Sequence, residues 1–304
     1  MFRKDLAIVT PSYRPDLERC KTLCASVKRF VDPQIEHVLV VPRRDRAAFA
    51  ALANERTRIE TVESILPKFA VQLPFQRKWW LTLCSIPVRG WILQQLTKLS
   101  TINAVTTNAI MFADSDLIFI RPFTADQVWH DGKLRMHRVP GPAPTAAHRR
   151  WHQDTGHLMG LEPSDWYGAD YIGQLITWHC DTVRGMLDHI TETAGKHWFK
   201  VMASMLQLSE YMLYGIYVEH VLKGEGHYYT HDDLCHCSWH HDMQTQEDID
   251  RFFSRELDPR VCAVLIQSNL NIEPAVYAEQ VEHLVEMNAR PASLGPHVEV
   301  SHSG

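Results

Sequence analysis

The chain has 304 residues, of which 45% are hydrophobic and 22% are charged, so it can bury a substantial core and is not disordered along its length. Its formal net charge is −5 and it has no long basic run, which excludes nucleic acid as the main partner because that role needs a dense cationic surface. Seven cysteines stand at irregular spacing, a pattern more typical of a reducing compartment than of a disulfide framework.

The hydrophobic runs of the chain predict neither a secretory signal nor a transmembrane helix. The apolar run that follows the first five residues ends at Val9, which is too early for a secretory signal. No uncharged apolar run reaches the roughly 18 residues that a membrane-spanning helix needs. We therefore expect a cytoplasmic protein.

Short apolar runs alternate with helical patterns in the first half of the chain. The predicted strands cover residues 6–9, 37–41, 59–65 and 109–113, and the predicted helices cover residues 16–30, 45–54 and 88–99. This alternation indicates an α/β protein with a doubly wound, mostly parallel sheet and helices on both faces.

The second half of the chain is less regular. After a loop at residues 140–144, a strand is predicted over 171–178, one or two helices over 201–222, a helix over 247–257, a strand over 262–267 and a last helix over 274–288. We expect a catalytic domain over residues 1–245, a helix–strand–helix segment over 246–288 packed on the same domain, and a flexible tail over 289–304.

Polar residues follow three of the predicted strands, at residues 10–14, 42–45 and 114–116. In parallel α/β sheets, ligands bind beyond the carboxyl ends of the strands. We therefore expect these three segments to form one site.

The segment Asp114-Ser115-Asp116 places two carboxylates between two apolar runs. In an extended backbone both side chains point the same way, and ionising both in apolar surroundings requires a counter-charge. Mg²⁺ or Mn²⁺ would supply that charge, because these ions prefer oxygen ligands, and would stabilise a leaving diphosphate. The alternative interpretation is an acidic turn between two strands.

Three segments resemble GT-A glycosyltransferases, most closely uncharacterised bacterial glycosyltransferase-like proteins. The sequence MFADSDLIFIRPF (residues 111–123) is similar to their DxD segment. The sequence AIVTPSY (residues 7–13) resembles their first strand and nucleotide loop, and RGWILQQLTKL (residues 89–99) resembles the helix before the DxD strand. Together these segments cover about the first 125 residues.

The resemblance implies a GT-A-like fold and a metal-dependent transfer of a sugar from a nucleotide diphosphate donor, UDP- or GDP-linked, to a hydroxyl group. The acceptor would be a saccharide, a lipid-linked molecule or a small molecule, and a lipid-linked acceptor allows peripheral membrane contact. Asp114 and Asp116 would hold Mn²⁺ or Mg²⁺ and the diphosphate. The implied nucleotide-binding residues are Thr10, Pro11, Ser12, Tyr13 (stacked on the base), Asp45, Arg89, Gln95, Lys98, Asp114 and Ser115. Each residue outside the DxD segment is alternatively a solvated surface residue.

An inverting transfer to a hydroxyl group needs a general base, usually a carboxylate. Glu210 is the first choice, because its apolar neighbours predict burial, and burial raises the pKa of a carboxyl group. Asp154, in a predicted loop, is the rival. A retaining transfer would use neither residue, and Glu210 is alternatively an exposed helix residue.

Histidines and cysteines cluster after residue 226. The resemblance implies a late histidine as a third metal ligand, and His236 is preferred to His240. A structural zinc site is the alternative, although Cys235 and Cys237 are too close for the usual ligand spacing.

Three other functions stay open. One is a nucleotide- or sugar-binding module without turnover, and another is a zinc hydrolase built on the histidine cluster. The third is a sugar-phosphate nucleotidyltransferase, a class that needs a glycine-rich loop where this chain has Thr10-Pro11-Ser12.

Overall fold

The computed structural model describes residues 6–72, 80–82, 90–238, 243 and 245–288. The strands, in chain order, are β1 (Leu6–Pro11), β2 (Glu36–Val41), β3 (Thr57–Thr61), β4 (Ala70–Gln72), β5 (Trp80–Thr82), β6 (Ala109–Phe112), β7 (Leu117–Phe119), β8 (Trp129–His130), β9 (Lys133–His137), β10 (Val139–Pro140), β11 (Ala169–Asp170), β12 (Thr177–His179), β13 (His227–Thr230), β14 (Cys235–Cys237) and β15 (Ala263–Leu265). The helices are α1 (Leu17–Phe30), α2 (Arg46–Phe49), α3 (Val62–Ile65), α4 (Gly90–Ser100), α5 (Ala146–Leu158), α6 (Cys180–Ala194), α7 (Trp198–Ala203), α8 (Glu210–Ile216), α9 (Gln246–Phe253) and α10 (Ala278–Met287).

A five-stranded sheet in the order β12-β6-β1-β2-β3 forms the centre of the fold. Strand β1 is parallel to β2 and to β6, and β2 is parallel to β3, whereas β12 joins β6 antiparallel at the edge. Strand β6 is buried along its whole length, as expected for a strand covered on both faces. The predicted α/β class with a mostly parallel sheet is confirmed.

Helices cover both faces of this sheet because successive strand side chains point to opposite sides. Ile8 of β1 packs with Leu23 and Val27 of α1 on one face. Val9, the next residue, packs on the other face with Leu96 of α4. The helices therefore sandwich the sheet, as predicted.

A second sheet, in the order β14-β15-β7, joins strands β14 and β15 to the strand that follows the acidic segment. Strand β7 begins one residue after Asp116 and pairs antiparallel with β15. Helices α9 and α10 pack on this sheet through a cluster that includes Ile118, Phe252 and Leu284. The segment 246–288 thus packs beside the acidic pair.

The guanidinium group of Arg121 also connects the acidic segment to residues 246–288. It donates to the carbonyl oxygens of Asp258 and Val261, each at 2.6 Å, and to the side-chain oxygen of Asn288. Charge-assisted hydrogen bonds of this kind are the stronger class, so Arg121 ties the strand after the acidic pair to the last helix.

Several predicted elements differ from the structure. The strand predicted over 59–65 ends at Thr61, where a capping box with Ser64 starts helix α3. The strand predicted over 171–178 is limited to β12, and Leu175 has a left-handed φ of 52°, which interrupts an extended chain. Of the one or two helices predicted over 201–222, the structure has two, α7 and α8, because α7 ends before Ser209 caps α8, and a turn of π-helix follows over Tyr217–Val221.

The predicted tail over 289–304 lies outside the described residues. None of the helices that the structure describes combines the length and the hydrophobicity needed to cross a membrane.

Candidate functional site

The three polar strand ends meet at one edge of the central sheet. Ser115, after β6, donates a hydrogen bond through its hydroxyl to the Ser12 hydroxyl at 2.9 Å. Asp45, after β2, accepts one from the backbone N–H of Arg14 at 3.1 Å. The predicted convergence of residues 10–14, 42–45 and 114–116 is confirmed.

The acidic pair lies on a turn and not on an extended strand. Strand β6 ends at Phe112, and the N–H of Leu117 donates to the carbonyl of Asp114 at 3.1 Å, which closes the turn. The expectation that an extended backbone aligns the two side chains is therefore wrong. The turn still holds the two carboxyl groups within electrostatic reach of each other.

The two carboxyl groups differ in surroundings. The Asp114 side chain is 35% exposed, whereas Asp116 accepts a hydrogen bond from the N–H of Ser268 at 2.7 Å. Burial and the charge of Asp114 raise the pKa of Asp116 to about 6, although the Ser268 bond favours its ionised form. Oxygen ligands that repel each other in this way fit a hard divalent cation, whose charge would relieve the repulsion.

A buried ammonium group lies next to the pair. Lys98 of α4 is 5% exposed, and its Nζ lies 2.9 Å from the Tyr211 hydroxyl, 3.1 Å from a Glu210 oxygen and 3.8 Å from an Asp114 oxygen. Burial alone would lower the pKa of Lys98, but these three partners outweigh it and raise that pKa well above its ordinary value. Lys98 is therefore a fixed positive charge at the site.

Gln95 lies one turn before Lys98 on the same face of α4, as predicted. Its side-chain oxygen accepts a hydrogen bond from the N–H of Glu210 at 3.2 Å. Gln95 and Lys98 are both buried, and both side chains contact Glu210 at the start of α8.

Glu210 is 3% exposed, which confirms its predicted burial. Sequence reasoning missed its ion pair with Lys98, which joins two helices far apart in the chain. Asp154 lies within helix α5 and not in a loop, so that expectation is wrong, and its carboxylate accepts a hydrogen bond from Gln207 at 3.4 Å.

The predicted nucleotide residues differ in accessibility. Thr10 is fully buried, and its hydroxyl is 3.0 Å from Nε2 of His37. Its side chain lies on the face of the sheet that α1 covers. Tyr13 is 47% exposed, whereas Asp45 is buried beside the Arg44 guanidinium at 3.8 Å. Pro11, at the end of β1, is partly buried, and Arg89 lies outside the described residues.

Three further residues surround the acidic pair. Asp16 lies 3.7 Å from Arg19, and Arg19 donates to the carbonyl of Ile272 at 3.2 Å. Burial and the charge of Asp114 raise the pKa of Asp16 against the effect of Arg19. Burial also raises the pKa of Tyr277 to about 12, with a contribution from Asp116. Helical spacing on α1 could have identified the first two, but no motif marks Tyr277.

His236 does not join the acidic pair. Its ring stacks on Phe252 of α9 with the ring centres 4.2 Å apart. In the part of the chain that the structure describes, no three His, Cys, Asp or Glu side chains group closely enough to hold a metal ion. This finding excludes the alternative zinc site among those residues, and His240 lies outside them.

Comparisons with known proteins give one family and a distant structural likeness. The protein-family model described as "Family of unknown function (DUF6492)" matches residues 6–289. The crystal structure of mouse xyloside xylosyltransferase 1, apo form, is similar with a TM-score of 0.47 and 12% identity, covering 88% of this chain and 99% of that chain. No curated protein matches the sequence.

Proposed function

We propose an activity from the site itself, because the chain belongs to DUF6492, a family of unknown function. The proposed activity is a GT-A-like, metal-dependent glycosyl transfer from a nucleotide diphosphate sugar to a hydroxyl acceptor. The observation that carries the proposal is the acidic pair Asp114 and Asp116 on a turn where parallel strands end. The proposed donor is UDP- or GDP-linked. The acceptor is a saccharide, a lipid-linked molecule or a small molecule.

The acidic pair supports a site for Mn²⁺ or Mg²⁺. Asp114 is open enough to bind a ligand from solvent, and Asp116 is held in place by the N–H of Ser268. A bound cation would hold the diphosphate and stabilise the charge that develops as it leaves. Asp114 and Asp116 are the ligands in this proposal, and the third ligand stays unassigned.

Lys98 supplies a second positive charge at the same place. Its ammonium group lies 3.8 Å from Asp114, so a diphosphate beside that carboxylate would also lie near Lys98. A fixed cation aimed at developing negative charge is among the strongest contributions to catalysis. We assign Lys98 to the leaving diphosphate.

Glu210 takes a different role from the one first predicted. Its carboxylate is enclosed and lies 3.1 Å from the Lys98 ammonium group, so it holds that cation in position. Asp154 is then the remaining one of the two predicted bases for an inverting transfer. A retaining transfer needs neither.

The nucleotide would lie along the ends of β1 and β2. The exposed ring of Tyr13 offers a face for stacking on the base. Asp45 follows β2 and accepts a hydrogen bond from the Arg14 backbone, and we assign its carboxylate to the ribose or the base.

Titration calorimetry with UDP and with GDP, each with and without Mn²⁺, tests the proposal. We expect one of them to bind only when Mn²⁺ is present. Asp114→Asn and Asp116→Asn should weaken that binding at least about tenfold and keep the fold, because they remove the negative charge of the ligands. Asp181→Asn, in an exposed ion pair with Arg184, is the matched control. Binding of neither nucleotide, or unchanged binding by both acidic-pair variants, contradicts the metal site.

A nucleotide-binding module without turnover is the second candidate, favoured by the engagement of Glu210 with Lys98. It would bind the nucleotide with Mn²⁺ yet release no nucleotide from any UDP- or GDP-sugar. A chromatographic assay of nucleotide release over a panel of donors separates the two.

A further inference from the structure

A buried polar patch lies beneath the nucleotide loop, on the face of the sheet that α1 covers. Ile8 pairs with His37 in the register of β1 and β2, so Ile8, His37 and the next same-face residue, Thr10, share that face. Thr10 and His37 are both fully buried, and their side chains are 3.0 Å apart. Such polar groups are unusual in the middle of a hydrophobic sheet. A departure of this kind from apolar packing is expected at functional or strained sites.

Helix α1 places two thiols against this patch. Cys20 and Cys24 are four residues apart, so they lie on the same side of the helix. Both pack with the cluster of Leu39, Val41 and Phe49. Cys20 is completely buried, whereas Cys24 is partly exposed, so solvent reaches only the second thiol of the pair.

The two ring nitrogens of His37 differ in their hydrogen bonding. Nε2 is engaged with Thr10, and the buried Nδ1 makes no hydrogen bond to the described residues. Leaving a buried polar atom unpaired is destabilising. A thiolate at Cys24 would offset this destabilisation, because the ring lies within electrostatic reach of the thiol.

The protonation of the two thiols agrees with this geometry. A hydrogen bond from the Cys20 thiol lowers the pKa of Cys24 to about 5, with a further contribution from His37, against the opposing effect of burial. The same bond and burial raise the pKa of Cys20. The partial exposure of Cys24 and its position beside His37 favour Cys24, and not the fully buried Cys20, as the thiol that ionises.

We propose that Cys24 is a reactive thiolate activated by His37 and Cys20, and that a peroxide oxidises Cys20 and Cys24 to a disulfide. The Cys24 sulfur attacks one peroxide oxygen, the O–O bond breaks, hydroxide leaves and Cys24 becomes a sulfenic acid. The Cys20 sulfur then attacks the Cys24 sulfur, the S–S bond forms, and water leaves with the thiol proton. The two cysteines lose two electrons, and hydrogen peroxide is reduced to two water molecules.

The disulfide would strain helix α1. Cβ atoms four residues apart on a helix are about 5–6 Å apart, whereas a disulfide needs about 3.8 Å. Cys20 also lies beside Ser12, whose hydroxyl accepts the Ser115 bond at the acidic segment. Oxidation should therefore loosen the first turns of α1, directly below the candidate site.

Timed alkylation with iodoacetamide between pH 5.5 and 8.5, mapped by mass spectrometry, tests the thiolate. Cys24 should react at least about tenfold faster than Cys237 at pH 6, where an ordinary thiol is almost wholly protonated. Cys237 is the matched control: it is also half-buried, and its thiol donates to the Cys235 carbonyl at 3.5 Å. Equal rates at pH 6 overturn the proposal.

The variants His37→Gln and Cys20→Ala test whether Cys24 reacts quickly because of these neighbours or only because solvent reaches it. Each should slow the alkylation of Cys24 at pH 6 and leave the rate of Cys237 unchanged. The comparison is made in whichever variant keeps the wild-type melting temperature. An unchanged Cys24 rate in a folded variant contradicts activation by these neighbours.

Hydrogen peroxide tests the second step. Trypsin cuts after Arg19, Lys21 and Lys28, so a disulfide would join the dipeptide of residues 20–21 to the peptide of residues 22–28. That linked product should form in the wild type, together with faster amide exchange in the first half of α1. In Cys20→Ala, Cys24 should instead be trapped by dimedone as the sulfenic acid. Separate, unoxidised peptides after peroxide treatment overturn the disulfide, and neither test requires a transferase assay.

Discussion

Lys98 balances the charges of the candidate site. Its ammonium group is shared by a carboxylate of α8, a tyrosine hydroxyl and one member of the acidic pair, and it lies over the rings of Phe112 and Tyr211. Without it, Glu210 would be a buried anion with no ammonium partner. Breaking a buried ion pair from one side is among the most destabilising single changes in proteins.

Lys98→Met should therefore lower the free energy of unfolding by about 3–5 kcal/mol. The double variant with Glu210→Gln should recover part of that loss, because the second change removes the uncompensated charge. Urea denaturation of the four proteins in a double-mutant cycle measures the coupling. Arg184→Met is the control, since its exposed pair with Asp181 should contribute less than about 1 kcal/mol. A loss below about 1 kcal/mol in Lys98→Met contradicts the pair's structural role.

Local chemistry predicted the acidic pair and the burial of Glu210, because their neighbours in the sequence are apolar. It did not predict the contact of Lys98 with Tyr211, 113 positions further on, because that contact is set by how α4 packs on α8. The resemblance implied a place for Thr10 in the nucleotide pocket, but the sequence did not show that α1 would cover its side chain. Tyr277 was missed because no motif marks it at the start of helix α10.

Helix α8 is short but tightly positioned. Ser209 caps it by accepting from the N–H of Met212, and Gly215 lies against the ring of Tyr171. A Cβ added at Gly215 would be 2.2 Å from that ring. The Tyr171 hydroxyl in turn donates to a Glu219 carboxylate oxygen at 2.8 Å. Tyr171 therefore links α8 to the Glu219 side chain.

Gly215→Ala should destabilise the protein by about 1–3 kcal/mol or more, because the added methyl group overpacks the contact with Tyr171. Gly185→Ala, also within a helix, is the matched control: its nearest new neighbour is the Tyr217 hydroxyl at 3.2 Å. There the gain in helix propensity, up to about 1 kcal/mol, opposes a smaller clash. Thermal unfolding should rank Gly215→Ala well below Gly185→Ala, and the reverse order would refute the packing argument.

The elements with a strongly periodic pattern of apolar residues were predicted best. The first two strands, the first helix and the acidic strand all lie where the apolar spacing placed them. The strand predicted over 171–178 was wrong because a β-rich composition does not reveal the left-handed residue Leu175. The end of β3 was placed too late because Thr61 acts as a cap, a role that depends on Ser64 three residues later.

Across the whole molecule, several buried histidines are kept neutral. Burial lowers the pKa of His137 to about 3 and that of His152 and of His227 to about 4. In the unfolded chain the same side chains titrate near 6.5. The unfolded state therefore binds more protons than the folded state throughout the interval between these values.

The free energy of unfolding should consequently fall as the pH drops from about 6.5 towards 4, by up to about 3 kcal/mol for each such histidine. Urea midpoints measured at pH 7.5, 6.5, 5.5 and 4.5 check the trend. His227→Gln should flatten the slope, because its side chain no longer titrates. His157→Gln, an exposed histidine of α5, should leave the slope as it is. A stability that is constant over this interval would contradict the neutral, buried state.

The bond from Ser268 to Asp116 spans 152 positions, and it has a consequence for biosynthesis. During translation the acidic segment leaves the ribosome long before β15, the strand that pairs with β7 behind it, has been made. A nascent chain halted before residue 268 therefore carries both carboxylates without the backbone donor that orients the second one. The candidate site is completed only after residue 268 has been made, when the segment that follows β15 packs beside the acidic turn.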